Sequence, residues 1–262
     1  MQATINGRNI GFSSDGKGVP LLLMHGFPLN RSMFDAQVAE LSKLARFVTF
    51  DVPGLGQSEP GPVSMNDIAE VAVGLMNELG IEAAVVGGVS MGGYASFEFA
   101  RRYPERLQGL ILADTRPAAD TPEGVAARKV AIEFVTKYGV EEWGKLALPK
   151  FVGPTTKRSR PEVVDSVRRM IESASPQVVT VLLKALASRT DNQDILAGIN
   201  VPTLVVCGAE DEITPPAEAR EWATRIPRSE FVEIPAAGHL ANIESPAAFN
   251  EAVSGFLERL TA

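Results

Sequence analysis

One rhythm narrows what this chain can fold into more than anything else: short apolar runs alternating with amphipathic stretches. Val19–Met24, Arg46–Phe50, Ala84–Val86 and Leu107–Ala113 read as strands, and the apolar ones have no polar face to give to water. Between them, Phe34, Val38, Leu41 and Leu44 recur at helical spacing, as do Ile68, Val71, Leu75, Met76 and Leu79. Met91–Tyr103 reads as a further helix. Ser64 followed by Asp67 resembles an N-cap with an acidic first turn, and Gly80 stands where that helix would stop. Parallel neighbours need a crossover, so this alternation predicts a mostly parallel sheet flanked by helices. Ahead of it, Ala3–Ile5 and Asn9–Phe12 alternate around Asn6-Gly7, the signature of a tight hairpin.

The rhythm breaks after Asp114. From Thr115 to Asn200 there are helical patterns and no strand: Val125–Tyr138, Glu141–Leu148, Pro161–Ser173 and Gln177–Ser188. Strand and helix then resume with Pro202–Cys207, Pro216–Arg225, Glu230–Ile234 and Pro246–Leu260. The expectation is an α/β core from residues 1–114 and 201–262. Residues 115–200 would form a helical cap or lid over the carboxyl edge of the sheet, where open α/β sheets bind ligands. A separate helical domain is the alternative.

The 262 residues suffice for a sizeable core, with 45% hydrophobic and 22% charged side chains. A net charge of −7 argues against nucleic acid or an anionic membrane as partner, because both require a basic footprint. Lys157–Arg160 and Arg168-Arg169 read as solvated faces. No apolar run approaches the ~18 residues of a membrane span, and the first residues carry no charged region followed by an apolar one. A cytoplasmic address is expected. The single cysteine, Cys207, lies in an apolar, β-branched run and reads as a buried core thiol.

The chemistry-bearing signal is Gly88-Val89-Ser90-Met91-Gly92-Gly93, set between a strand and a helix. Flanking glycines permit a sharp turn with strained dihedrals and leave room beside the serine, which would stand at the sheet edge above a helix N-terminus. A serine hydroxyl needs a base within hydrogen-bond reach. His239, in a loop after the last strand, is the favoured candidate; His25, which ends Val19–Met24, reads as a packing or hydrogen-bonding residue. The base in turn needs a carboxylate to hold its tautomer. Asp211, just past the strand ending at Cys207, is the candidate, with Asp114 as a rival at the same edge and Glu210 and Glu212 beside it. Oxyanion donors would be the N–H groups of Met91 and Phe27, since Pro28 has none and Gly26 is needed for the turn. The Phe27 side chain and Leu240 are candidate walls of a substrate pocket. Phe134, Trp143, Leu146, Leu148 and Phe151 either line that pocket or form the core of the helical segment.

Together, His25-Gly26-Phe27-Pro28, Asp51 to Ser58, Gly88 to Gly93, the Asp211 loop and Ala237-Gly238-His239 resemble the signature of α/β-hydrolase carboxylesterases. The chain order Ser90, Asp211, His239 is that family's order. The resemblance covers essentially the whole chain and is strongest to small bacterial, thermophile-type carboxylesterases near the 3-oxoadipate enol-lactonases. It implies the α/β-hydrolase fold and an acyl-enzyme mechanism on short-chain esters. It also implies no metal or organic cofactor and a small-molecule substrate, and it favours Asp211 over Asp114 as the acid. A monomer or small homo-oligomer is expected. One departure is Val52-Pro53-Gly54-Leu55-Gly56, where the family commonly carries an Arg-Gly pair and a histidine or polar residue. In the family this loop lies near the site, so the departure bears on the substrate more than on the triad. Lactone hydrolysis and a cofactor-free perhydrolase would use the same machinery. A receptor that binds a small apolar ligand with little turnover is the rival of a different class.

Overall fold

A computed structural model describes residues 1–61 and 63–261. The chain begins with a hairpin, β1 (Gln2–Ile5) and β2 (Arg8–Asp15), turned by Asn6 and Gly7 with φ of 51° and 76°. Six parallel strands follow: β3 (Val19–Met24), β4 (Ala45–Phe50), β5 (Ala84–Val89), β6 (Leu107–Ala113), β7 (Thr203–Gly208) and β8 (Ser229–Ile234). The sheet has the order β1-β2-β4-β3-β5-β6-β7-β8. After β3 the chain winds to one side through α1 (Asp35–Leu41) and β4. It then crosses back through α2 (Met65–Glu78) to β5 and continues the other way through α3 (Met91–Arg102). The carboxyl ends of β3 and β5 therefore lie side by side at the switch point, where such sheets open a crevice.

Both faces of the sheet are covered, as the continuous apolar strands require. Alternate residues divide between the layers: Leu110, Leu112, Val205 and Cys207 pack with Phe97 and Trp222, while Ile111, Ala113, Leu204 and Val206 belong to the other layer. Helices α8 (Pro216–Ala223) and α10 (Pro246–Thr261) complete the two layers, and a short α9 (Ala241–Glu244) precedes the latter. Ser64 and Asp67 form a reciprocal capping box at the start of α2. Leu44 departs from its helical expectation: α1 ends at Leu41 and Leu44 lies half exposed after it.

Between β6 and β7 run only helices: α4 (Pro122–Phe151), α5 (Pro154–Ser159), α6 (Pro161–Glu172) and α7 (Pro176–Ala187), then a short 3-10 turn. α4 is two helices joined at Gly139, whose φ of 85° breaks the helical path. That accounts for the two separate periodic patterns on either side of it. α5 carried no apolar periodicity and escaped the sequence reading. Cys207 is buried, and Arg168 is exposed beside Asp165. Arg160 is not a solvated charge as expected, because its guanidinium bonds the Glu244 carbonyl and Thr156 Oγ1. Among the described residues no helix is long and apolar enough to cross a membrane.

Candidate active site

Ser90 sits between β5 and α3 in a backbone conformation that L-residues rarely adopt, with φ 54° and ψ −111°. The strain expected of the glycines thus falls on the serine itself, and the glycines supply space. A Cβ at Gly88 would lie 2.3 Å from the Gly92 carbonyl carbon, and one at Gly92 would lie 2.0 Å from the Met24 carbonyl oxygen. Backbone bonds from Ser90 N to Ala113 O and from Tyr94 N to Ser90 O, with Thr115 Oγ1 donating to Ser90 O, hold the turn. Gly26 has no left-handed dihedral. A Cβ there would stand 3.4 Å from the Val89 carbonyl oxygen and 3.5 Å from the Ser90 Cβ, ordinary contacts, so neither space nor its own turn demands a glycine there.

The structure brings Ser90, His239 and Asp211 into one hydrogen-bonded chain. His239 Nε2 lies 2.8 Å from Ser90 Oγ, and His239 Nδ1 lies 2.8 Å from Asp211 Oδ2. His239 and Asp211 are almost wholly buried. Asp211 Oδ1 accepts from the N–H groups of Ile213 and Thr214, and Thr214 Oγ1 donates to Oδ2 at 2.6 Å. Burial alone would raise this carboxyl. The attraction of His239 and the hydrogen bonds from His239 and Thr214 outweigh it, so the Asp211 pKa lies below the ordinary carboxylate value. Thr214 was absent from the sequence reading; its signal is the Asp-x-x-Thr spacing, which lets a hydroxyl close on the carboxylate at the head of a turn.

Asp114 lies beside this chain without joining it. Its oxygens accept from the N–H groups of Gly208 and Ala241, and burial first, then repulsion from Asp211, pushes its pKa well above normal. His25 is structural: Val52 N–H donates to its Nε2, so Nδ1 carries the proton toward Gly26 O. Burial lowers its pKa despite the nearby Asp51. Glu210 reaches the helical segment, accepting from Thr155 N at 2.9 Å, and Glu212 is an exposed residue at the cavity rim. Asp114, Cys207 and Asp211 have the donor types of a metal site and lie within 4.8 Å of one another. Each is already committed: the two carboxylates accept the bonds given above, and the Cys207 thiol, which burial holds strongly protonated, donates to Thr214 O.

Ser90 and His239 open onto a cavity of about 610 Å³. Phe27, Trp143, Leu146 and Phe151 line it, as does Phe134, while Leu148 belongs to the core. Aromatic rings form a continuous wall: Phe27 to Trp143 at 5.7 Å, Trp143 to Phe151 at 6.5 Å, and Phe151 stacked on His239 at 6.3 Å. Leu240 is not in that wall. It is buried at the head of α9, held there by its own N–H bond to Glu244. Residues 52–56 are also absent from the lining; Val52 binds His25, and Gly54 packs on Val178 of α7. At the far end, Asp120 joins Arg128 and the buried Arg189, whose guanidinium lies 4.4 Å from the Tyr94 ring centre. Burial would raise the Asp120 carboxyl, but the two arginines bring it below normal.

The model of the alpha/beta hydrolase family matches residues 21–252. The chain belongs to that family. Among solved hydrolase-fold structures, it superimposes on an esterase of Thermogutta terrifontis with a TM-score of 0.96 and 39% identity, covering 100% of this chain and 99% of that one. The enol-lactonase of Burkholderia xenovorans LB400 superimposes with a TM-score of 0.90 and 28% identity, covering 98% and 100%. A 3-oxoadipate enol-lactonase of Acinetobacter baylyi is 27% identical over 241 residues, 91% of this chain and 88% of that one. The family match spans most of the chain, and ester-type hydrolysis is the chemistry of these relatives' names.

Proposed function

We propose that this chain is a serine carboxylesterase acting on short-chain esters, with helices α4–α7 as the lid that selects them. The observation that carries the reading is the Ser90–His239–Asp211 chain opening onto an apolar cavity. The Ser90 oxygen attacks the ester carbonyl while its proton passes to His239 Nε2. Asp211 holds the Nδ1–H tautomer and stabilises the imidazolium. The tetrahedral oxyanion is held by the N–H of Met91, at the start of α3, and that of Phe27. The intermediate collapses as the alcohol departs with the proton from Nε2. Water, deprotonated by the same imidazole, then frees the acid and restores the serine.

Lactone hydrolysis is the second reading, supported by the two enol-lactonase relatives, since an internal ester opens by the same steps. A pre-steady-state burst with p-nitrophenyl acetate tests the acyl-enzyme, and Ser90→Ala should lower kcat by about 10⁴-fold or more. Retention of activity within about tenfold in that variant would overturn the nucleophile assignment. Comparing kcat/KM on that ester with a lactone panel separates the two readings.

A further inference from the structure

We propose that Glu244 is a positioning residue that fixes His239 against Ser90 and ties the root of the helical segment to the same point. Its carboxylate is fully buried and accepts three main-chain N–H groups. Oε1 takes those of Gly238, at 2.9 Å, and Leu240, at 3.2 Å, the residues on either side of His239. Oε2 takes the N–H of Gly153, at 2.8 Å, just after α4 ends. A buried anion is costly unless its oxygens are filled, and charge-assisted bonds from amides are the strong kind. One side chain therefore holds the peptide N–H groups on either side of the imidazole and that of Gly153, two residues after Phe151, whose ring stacks on that imidazole.

The backbone beneath is built for this closeness. A Cβ at Gly238 would lie 2.4 Å from Gly153 N, and one at Gly153 would lie 2.9 Å from Gly238 N. The two backbones meet directly, with the Glu210 side chain also against Gly153, and the Glu244 carboxylate is the group that accepts an N–H from both segments. Arg160 adds a bond to the Glu244 carbonyl but none to its carboxylate. Glutamine has the same shape with a single acceptor oxygen, so it cannot serve both Gly153 and the Gly238–Leu240 pair. Whichever side meets the amide NH₂ must separate. Displacing His239 slows every step that uses its proton transfer, while Phe27, Tyr94 and Leu183, on other elements, keep their places in the cavity wall.

The inference rests on the serine-hydrolase reading, and its test is arranged to keep the two apart. The full chain and its Glu244→Gln, Glu244→Asp and Arg160→Met variants are compared for thermal midpoint, for kcat and KM on p-nitrophenyl butyrate, and for the rate of Ser90 labelling by a fluorophosphonate. The low-field proton resonance of the His239–Asp211 bond is recorded for each. In Glu244→Gln, kcat and labelling fall together by about tenfold to 100-fold, with KM little changed. The low-field resonance moves or broadens, and Glu244→Asp regains part of the loss. Arg160→Met lowers the thermal midpoint and keeps kcat. If Glu244→Gln does not fold, Glu244→Asp carries the test, with a smaller loss in kcat and the same shifted resonance. Unchanged kcat and resonance in the folded glutamate variants would overturn the proposal, as would an equal kcat loss in Arg160→Met. A wild type neither labelled nor active would overturn the hydrolase reading, and this inference with it.

Discussion

His239 Nε2 stands 2.8 Å from Ser90 Oγ, although 149 residues of chain separate them. Both residues leave the carboxyl ends of parallel strands, β8 and β5, and Asp211 leaves β7 between β6 and β8. Three loops on one edge can converge only because the strands run the same way. The backbone bond from Glu210 N to Ala237 O then joins the acid loop directly to the histidine loop.

That geometry makes Asp211→Asn a discriminating change. Asp211 Oδ1 accepts from the backbone N–H groups of Ile213 and Thr214 and Oδ2 from His239 Nδ1 and Thr214 Oγ1, so an asparagine that keeps its one oxygen on the two fixed amides turns its NH₂ toward His239. The histidine then loses the partner that sets its tautomer. The expected outcome is a fall in kcat of about 10⁴-fold with KM little altered, read from steady-state hydrolysis of p-nitrophenyl butyrate. A loss below about tenfold would show that another acid orients the base.

Asp114 predicts a slope in stability against pH. Its raised native pKa means the folded chain holds this proton more tightly than the unfolded chain, where aspartate titrates near ~3.9. Above that value the unfolded state binds fewer protons at this site, so its contribution makes stability fall as pH rises toward the native pKa. The lowered Asp211 has the opposite sign. It adds stability above ~3.9, which is lost as pH falls below it, so the two windows adjoin without overlapping. Asp114→Asn cannot ionise and lacks the Asp114 slope. Urea unfolding from about pH 4 to about pH 8 should show the wild type losing stability relative to the variant as pH rises. Parallel profiles would contradict the raised pKa.

The turn at Ser90 should tolerate no added carbon behind it. Gly92→Ala would place a Cβ 2.0 Å from the Met24 carbonyl oxygen, which belongs to a central strand and cannot give way. A loss of about 3 kcal/mol or more is expected from chemical denaturation, or failure to fold. Gly26→Ala meets only ordinary contacts, the nearest at 3.4 Å, and should cost no more than about 1 kcal/mol. Equal costs at the two positions would refute this account of the turn.

Trp143 should govern acyl length. Its ring touches both Phe27 and Phe151, so Trp143→Ala removes the middle of the aromatic wall. Specificity measured as kcat/KM should shift toward octanoate over acetate esters by about tenfold, because pocket volume is worth only modest discrimination. A stability loss of about 3 kcal/mol should accompany it. An unchanged ester profile would place the acyl chain elsewhere in the cavity.

Much of this was legible along the chain because strands buried on both faces must be continuously apolar. The hairpin, six parallel strands, the strandless middle and the strand-end positions of Ser90, Asp211 and His239 follow from local pattern alone. The reading failed where neighbours in space decide. Leu240 looked like a pocket wall beside His239, yet its N–H turns it toward Glu244. The loop after Asp51 looked close to the substrate, yet His25 and Val178 hold it away from the cavity. Glu244 itself gave no signal, because its partners are main-chain amides that every residue possesses.

Local chemistry therefore settled which elements form and in what order, since periodicity, capping and turn residues act within a few positions of themselves. Tertiary structure decided that Asp211 and not Asp114 bonds His239 and which rings meet the imidazole. It also put a buried carboxylate between two glycines 85 residues apart. A hydrogen bond depends on ångström distances between distant segments, and those distances exist only once the sheet has brought its loops to a common edge.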